Sequence, residues 1–168
     1  LAKALGIRMA VPAFQIEDLI ARHGVHVFSS NYELYGEMSH RMMEVLEEAS
    51  PEVERYSIDE AFIRLQARDY ASLEAAGREI RRRIRRQLGI PVSVGIAETK
   101  TLAKIANRVA KRTPDTGGVF DLFACPDREA LLNRIAVEDV WGIGPSHTRR
   151  LQQHGIITVM QLRQIGRA

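Results

Sequence analysis

The sequence predicts an α+β fold with helices packed on one face of a sheet, and three observations carry that prediction. Apolar residues recur with helical period over residues 35–49, 72–88 and 99–112. Short β-branched or apolar runs lie between them, at residues 53–57, 61–65 and 91–97. Beyond Pro126-Asp127 the pattern is helical throughout, broken by tight Gly turns. The order helix, hairpin, helix, strand, helix, strand suits a sheet covered by helices, followed by a small all-helical segment.

Each element has its own local signal. Gly6 closes a first helix end, and a helix over residues 13–22 is closed by Gly24. Residues 25–28 form a short strand candidate. Ser30-Asn31-Tyr32-Glu33 matches a capping box, in which the Ser oxygen and the Glu carboxylate reach across the first turn. Tyr35, Met38, Met42, Val45, Leu46 and Ala49 then mark one face of a helix that ends before Pro51; this Met-rich stripe reads as core. The helix over residues 72–88 buries Leu73, Ala76, Ile80 and Ile84 and turns Arg78, Arg81, Arg82, Arg85 and Arg86 outward. Thr99 caps the next helix, whose buried side is Leu102, Ile105, Ala106 and Val109. Gly117-Gly118 reads as a turn leading into a strand from Val119 to Leu122.

Composition sets bounds on the function. An apolar fraction of 45% is ordinary for a globular chain, and no apolar run approaches membrane-spanning length. With 24 Lys and Arg against 21 Asp and Glu, the net charge is +3, so the placement of charge matters more than its total. Cys125 is the single cysteine, which excludes an internal disulfide and fits a reducing, cytoplasmic setting. His23 and His26, far in sequence from Cys125, lack the ligand number and spacing of a zinc site. No Walker-type loop or Gly-x-Ser-x-Gly elbow supports P-loop or hydrolase chemistry. The chain starts at Leu1 without Met and stops at Ala168 just after a helical pattern, and both ends read as cuts through a longer protein.

Three elements are candidates for chemistry. In Tyr56-Ser57-Ile58-Asp59-Glu60-Ala61-Phe62-Ile63, two adjacent carboxylates fall where a hairpin turns. Neighbours in a strand point to opposite faces, so these two converge only if the turn intervenes. Hard oxygen donors beside a sheet end suit Mg²⁺, and Mg²⁺ brings phosphates with it. Taken alone, an Asp-Glu pair more often describes a solvated acidic hairpin tip. In the helix after Thr99, Lys100, Lys104, Arg108 and either Lys111 or Arg112 form a cationic stripe opposite the apolar one. Such a stripe faces a triphosphate or a DNA backbone, or is simply a solvated helix face. In Val140-Trp141-Gly142-Ile143-Gly144-Pro145, a Gly turn runs into a helix N-terminus, the helix-hairpin-helix pattern that offers backbone N–H groups to a DNA phosphate. Its bland counterpart is an ordinary helix-helix corner.

Four blocks together resemble the UmuC branch of the Y-family DNA polymerases, the translesion enzymes of the bacterial SOS response. They are Ser29–Tyr35, Tyr56–Phe62, Val94–Lys104 and Asp139–Gly144, and they occur in the family's order over essentially the whole chain. The resemblance implies partial fingers over residues 1–24, most of the palm over residues 25–125 and the start of a helix-hairpin-helix thumb over residues 126–168. It implies that Asp59 is a ligand of the catalytic metals, and that Glu60 helps position the primer 3′-hydroxyl and its metal. Lys111 matches the family's triphosphate-contacting lysine. Lys3 stands where many relatives carry an arginine facing the triphosphate, and a lysine lacks the bidentate fork. Gly142 and Gly144 would hold a phosphate of the DNA backbone, with Lys104 facing the DNA.

Two Mg²⁺ ions are the implied cofactor. The implied partners are primer-template DNA, including damaged DNA, deoxynucleoside triphosphates, processed UmuD dimer and the sliding clamp, in the bacterial cytoplasm at the nucleoid. The family's first catalytic aspartate precedes Leu1, so the chain as it stands is expected to be inactive alone. A reading of a different class is a non-catalytic DNA-binding module built on the helix-hairpin-helix segment.

Overall fold

The structure, a computed structural model, describes residues 2–66 and 72–165. The chain divides into two compact units, Leu1–Leu34 and Tyr35–Ala168. In the first, a 3-10 turn at Ala2–Leu5 ends at Gly6, where φ is +82°. A second turn at Ala13–Ile16 runs into helix α1, Glu17–His23, which closes on left-handed Gly24 as its sequence predicts. The strand expected at residues 25–28 is not formed; those residues are irregular and Val27 and Phe28 are exposed. Apolar β-branched residues make a strand only where a partner strand satisfies their backbone, and none pairs there among the described residues.

Helix α2 spans Tyr32–Ala49. Its cap is Asn31, not Ser30: the Asn31 side-chain oxygen accepts from the Leu34 N–H at 3.0 Å. Either residue can cap, and the one immediately before the helix wins. Strands β1, Val53–Arg55, and β2, Ala61–Ile63, pair antiparallel with Val53 opposite Ile63 and Arg55 opposite Ala61. Helix α3, Leu73–Leu88, is capped by Ser72 and ends at left-handed Gly89. Strand β3, Val94–Ile96, pairs parallel with β4, Val119–Asp121. Between them runs helix α4, Lys100–Arg112, whose Thr99 cap accepts from the Leu102 N–H. Helices α5, Arg128–Arg134, α6, Pro145–Gln153, and α7, Val159–Ile165, complete the chain.

The period-2 alternation of the hairpin decides what each face meets. Val53, Ala61 and Ile63 pack against Met42, Met43, Val45 and Leu46 of α2 and Ile80 and Ile84 of α3. Ser50, buried at the end of α2, ties this layer together by donating to the Arg64 carbonyl at 2.8 Å and accepting from the Glu52 N–H. The opposite hairpin face carries Glu54, Tyr56, Glu60 and Phe62, and α4 lies over it through Lys100 and Lys104. The α+β class is therefore as predicted, and the helical cover is fuller than one face: α2 and α3 on one side, α4 on the other.

The β3–β4 pair repeats this arrangement. Gly77 of α3 meets the Val94, Ile96 and Val119 side chains, while Gly95 on the reverse side lies directly on the α4 backbone at Ala103 and Asn107. No residue with a side chain fits at Gly95, because the helix occupies the space. The far side of α4 joins the C-terminal helices in a second core of Leu102, Ile105, Leu132, Val140, Ile143, Val159 and Met160. One helix thus serves three layers.

Candidate nucleotidyl-transfer site

The acidic dyad sits where the sequence places it, on a turn. The Tyr56 and Ser57 N–H groups both donate to the Glu60 carbonyl at 3.0 Å, which leaves Ser57, Ile58 and Asp59 as a three-residue loop. Asp59 is exposed, and one of its oxygens accepts from the Ser57 hydroxyl at 2.8 Å. Glu60 is half-buried, and its Oε2 accepts from Lys104 Nζ at 2.6 Å.

The cationic stripe of α4 is met by carboxylates along its length. Lys100 pairs with Glu54, Lys104 with Glu60, and Arg108 with Asp139, while Arg112 reaches Asp139 at 3.9 Å. Residues four apart on a helix share a face, and here that face meets a matching row of carboxylates. Lys111, one position off the row, is exposed and has no ion pair among the described residues. Lys3 belongs to the first unit and is exposed on the turn Ala2–Leu5.

Aromatic rings close the cluster. Tyr56 stacks edge-on with Phe62 at 5.9 Å and with Trp141 at 5.1 Å, and Trp141 Nε1 donates to the Tyr56 hydroxyl at 2.9 Å. Lys104 Nζ lies 4.9 Å from the Tyr56 ring centre and 6.0 Å from that of Trp141. Sequence reasoning missed this cluster and the part played by Asp139. Tyr56 and Trp141 are 85 positions apart. The one available signal was parity, since Tyr56 shares a hairpin face with Glu60 once the loop is three residues long.

Trp141 also anchors the Gly turn. The Ile143 N–H donates to the Val140 carbonyl at 3.0 Å, and Gly142 occupies the third turn position at φ +89°, a conformation that favours glycine. Gly144 is the N-cap of α6, with Pro145 at the first helical position and no side-chain cap. The first-turn N–H groups of Ser146 and His147 therefore have no side-chain acceptor at the cap, as an anion-binding helix end requires. The segment before the turn is held to the start of α7 by the Ala136–Thr158 bridge.

Two other carboxylates are tuned away from the site. The guanidinium groups of Arg82 and Arg83 hold Glu79 down to about 2, and Arg128 holds Glu98 below the usual carboxylate range. Asp59 and Glu60 bring hard carboxylate oxygens to the hairpin tip, the donor type that a divalent ion such as Mg²⁺ takes. No group of three or more His, Cys, Asp or Glu that could hold a metal exists among the described residues.

This fold and this acidic hairpin define the class: residues 1–108 match the impB/mucB/samB family, and the chain belongs to it. Particular relatives sharpen the class. The chain is 48% identical to Protein UmuC of Salmonella typhimurium over 163 residues, covering 96% of this chain and 39% of that protein. It is 43% identical to Protein MucB of Escherichia coli, again over 96% of this chain and 39% of the relative. It is 36% identical to DNA polymerase IV 2 of Mesorhizobium japonicum, over 96% and 38%. The chain thus spans about two-fifths of these relatives. Among solved structures it resembles the insertion ternary complex of Dbh DNA polymerase, with TM-score 0.74, 25% identity and coverage of 94% of this chain and 44% of that one. It also resembles DinB from Sulfolobus solfataricus, with TM-score 0.74, 27% identity and coverage of 94% and 45%. The fold is that of the Y-family polymerases.

Proposed function

We propose that this chain is part of a DNA-directed DNA polymerase of the translesion type, acting in the bacterial SOS response to DNA damage. The observation that carries the reading is the hairpin tip: Asp59 open to solvent and Glu60 beside it, tied through Tyr56 and Trp141 to a Gly turn that ends in an uncapped helix N-terminus. Residues 1–24 then supply part of the fingers, 25–125 most of the palm and 126–168 the start of the thumb. The partners in this reading are primer-template DNA, damaged or intact, and deoxynucleoside triphosphates. The full-length protein works in the cytoplasm at the nucleoid with processed UmuD and the sliding clamp.

Asp59 and Glu60 are the residues that would hold Mg²⁺. Divalent ions bound there supply the charge neutralisation needed for in-line attack of a primer hydroxyl on an α-phosphate. Asp59 contributes the open carboxylate, and Glu60 fixes the end of the primer. Lys111, exposed and without an ion pair among the described residues, meets the triphosphate. Gly142 and Gly144 bring backbone N–H groups and a helix N-terminus to a DNA phosphate without reading sequence. A two-ion centre needs a further carboxylate, so the chain alone does not extend a primer.

The test uses the full-length protein. Changing Asp59 and Glu60 together to Ala is expected to abolish primer extension and leave DNA affinity within about twofold. Surviving synthesis refutes the site. DNA affinity retained in the double variant, with no synthesis in the unaltered protein, favours the second reading, a non-catalytic DNA-binding module built on the uncapped α6 end.

A further inference from the structure

We infer that Lys104 is the resident counter-ion of the acidic hairpin and acts through Glu60, not through DNA; the inference rests on the proposed function for its catalytic consequence. Three contacts converge on this one ammonium: the Glu60 carboxylate at 2.6 Å and the faces of Tyr56 and Trp141. The side chain is 24% exposed, and its partner Glu60 is 34% exposed. An ammonium sheltered by a carboxylate and two rings is poorly placed to neutralise a backbone phosphate, because leaving this nest costs all three interactions.

The position of the pair gives it a purpose. Adjacent carboxylates on one tip repel unless a cation lies between or beside them. Lys104 supplies that cation from α4, and Gly95 brings α4 against the sheet beside the hairpin. Its single contact on Glu60 engages Oε2. Lys104 therefore holds the Glu60 carboxylate at a fixed place and competes with a divalent ion for it. Lys100 repeats the geometry one turn earlier on Glu54, beside Phe62, where the chain neighbours Val53 and Arg55 carry no carboxylate. It is the internal control.

The experiment measures Mn²⁺ affinity by calorimetry and DNA affinity by fluorescence anisotropy across a salt series, on the full-length protein. Four forms are compared: unaltered, Lys104→Met, Glu60→Gln and the double variant. Methionine keeps the stem and removes the charge. Lys104→Met is expected to tighten Mn²⁺ binding several-fold, because Glu60 loses its competitor, and to leave DNA affinity within twofold. In the Glu60→Gln background the same change is expected to leave Mn²⁺ affinity unaltered.

Lys104→Arg, which keeps charge and ring stacking, is expected to behave like the unaltered protein, and so is Lys100→Met. Unchanged Mn²⁺ affinity in Lys104→Met overturns the inference. So does a fall in DNA affinity with a salt slope shallower by about 0.9, the signature of one lost phosphate contact. Where the protein synthesises DNA, Lys104→Met lowers kcat by tenfold or more with KM for DNA unchanged. Absence of synthesis in the unaltered protein refutes the polymerase reading alone, and the Mn²⁺ and DNA measurements still decide the place of Lys104.

Discussion

Replacing Gly95 by Ala tests the arrangement on which the site depends. A Cβ at that position overlaps the backbone N of Asn107 and the carbonyl of Ala103, and it comes within 2.6 Å of Asn107 Cα. All three are helix backbone atoms with no rotamer by which to yield. Carbon atoms rest at about 3.5–4.0 Å, so α4 must retreat by roughly 1 Å, and a gap of that size forfeits a quarter to a half of each contact's dispersion energy.

Overpacking of this kind costs about 1–3 kcal/mol, and the upper end applies where backbone is the obstacle. The Asn107 side chain, which donates to the Ser93 carbonyl at 2.7 Å, loses a bond worth about 1 kcal/mol. Removing a strand glycine returns about 0.5–1 kcal/mol. The net expectation is a loss of about 3 kcal/mol, a large share of the 5–15 kcal/mol typical of a folded domain. In a chain of this length that lowers the Tm by roughly 10 °C.

Gly36→Ala is the matched control, because Gly36 lies inside α2 with nothing within 4 Å of an added Cβ. It is expected to stabilise by about 0.5–1 kcal/mol. Urea denaturation followed by far-UV circular dichroism reads both. If Gly95→Ala lies within 1 kcal/mol of the unaltered chain, α4 does not rest on β3, and the geometry that carries Lys104 to Glu60 is wrong.

Three further outcomes are expected. Tyr56→Phe leaves the Trp141 N–H without its acceptor and costs about 0.5–1.5 kcal/mol; Trp141 is the chain's sole tryptophan, so its emission is expected to shift to the red, and an unmoved spectrum refutes the bond. Thr99→Ala removes the cap of α4 and costs about 1 kcal/mol, measured by denaturation, whereas Ser30→Ala is silent because Asn31 is the cap of α2. The carboxylate of Glu79, held at about 2 against an ordinary 4.5 by Arg82 and Arg83, is expected to titrate near 2 by NMR. Its folded value is the depressed one, so its contribution is complete above 4.5 and fades as the pH falls toward 2. Arg82→Ala moves the midpoint back up, and a midpoint already near 4.5 in the unaltered protein rules the fork out.

Sequence alone determined whatever is local in cause. The helix boundaries at Ser72, Gly89, Thr99 and Gly24 follow from caps and left-handed glycines, which depend on neighbours within a turn. The acidic hairpin tip and the Gly142 turn were legible for the same reason. Locality has limits, as residues 25–28 show: their composition suits a strand, but a strand exists only by its partner. Tertiary structure alone decided where the charges of α4 go. Helical period shows that Lys100, Lys104, Arg108 and Arg112 share a face, and nothing in that period says whether the face meets solvent, phosphate or Glu54, Glu60 and Asp139. Pairing across 27 to 46 positions depends on how closely a helix can approach a sheet, and here a single glycine, Gly95, sets that approach.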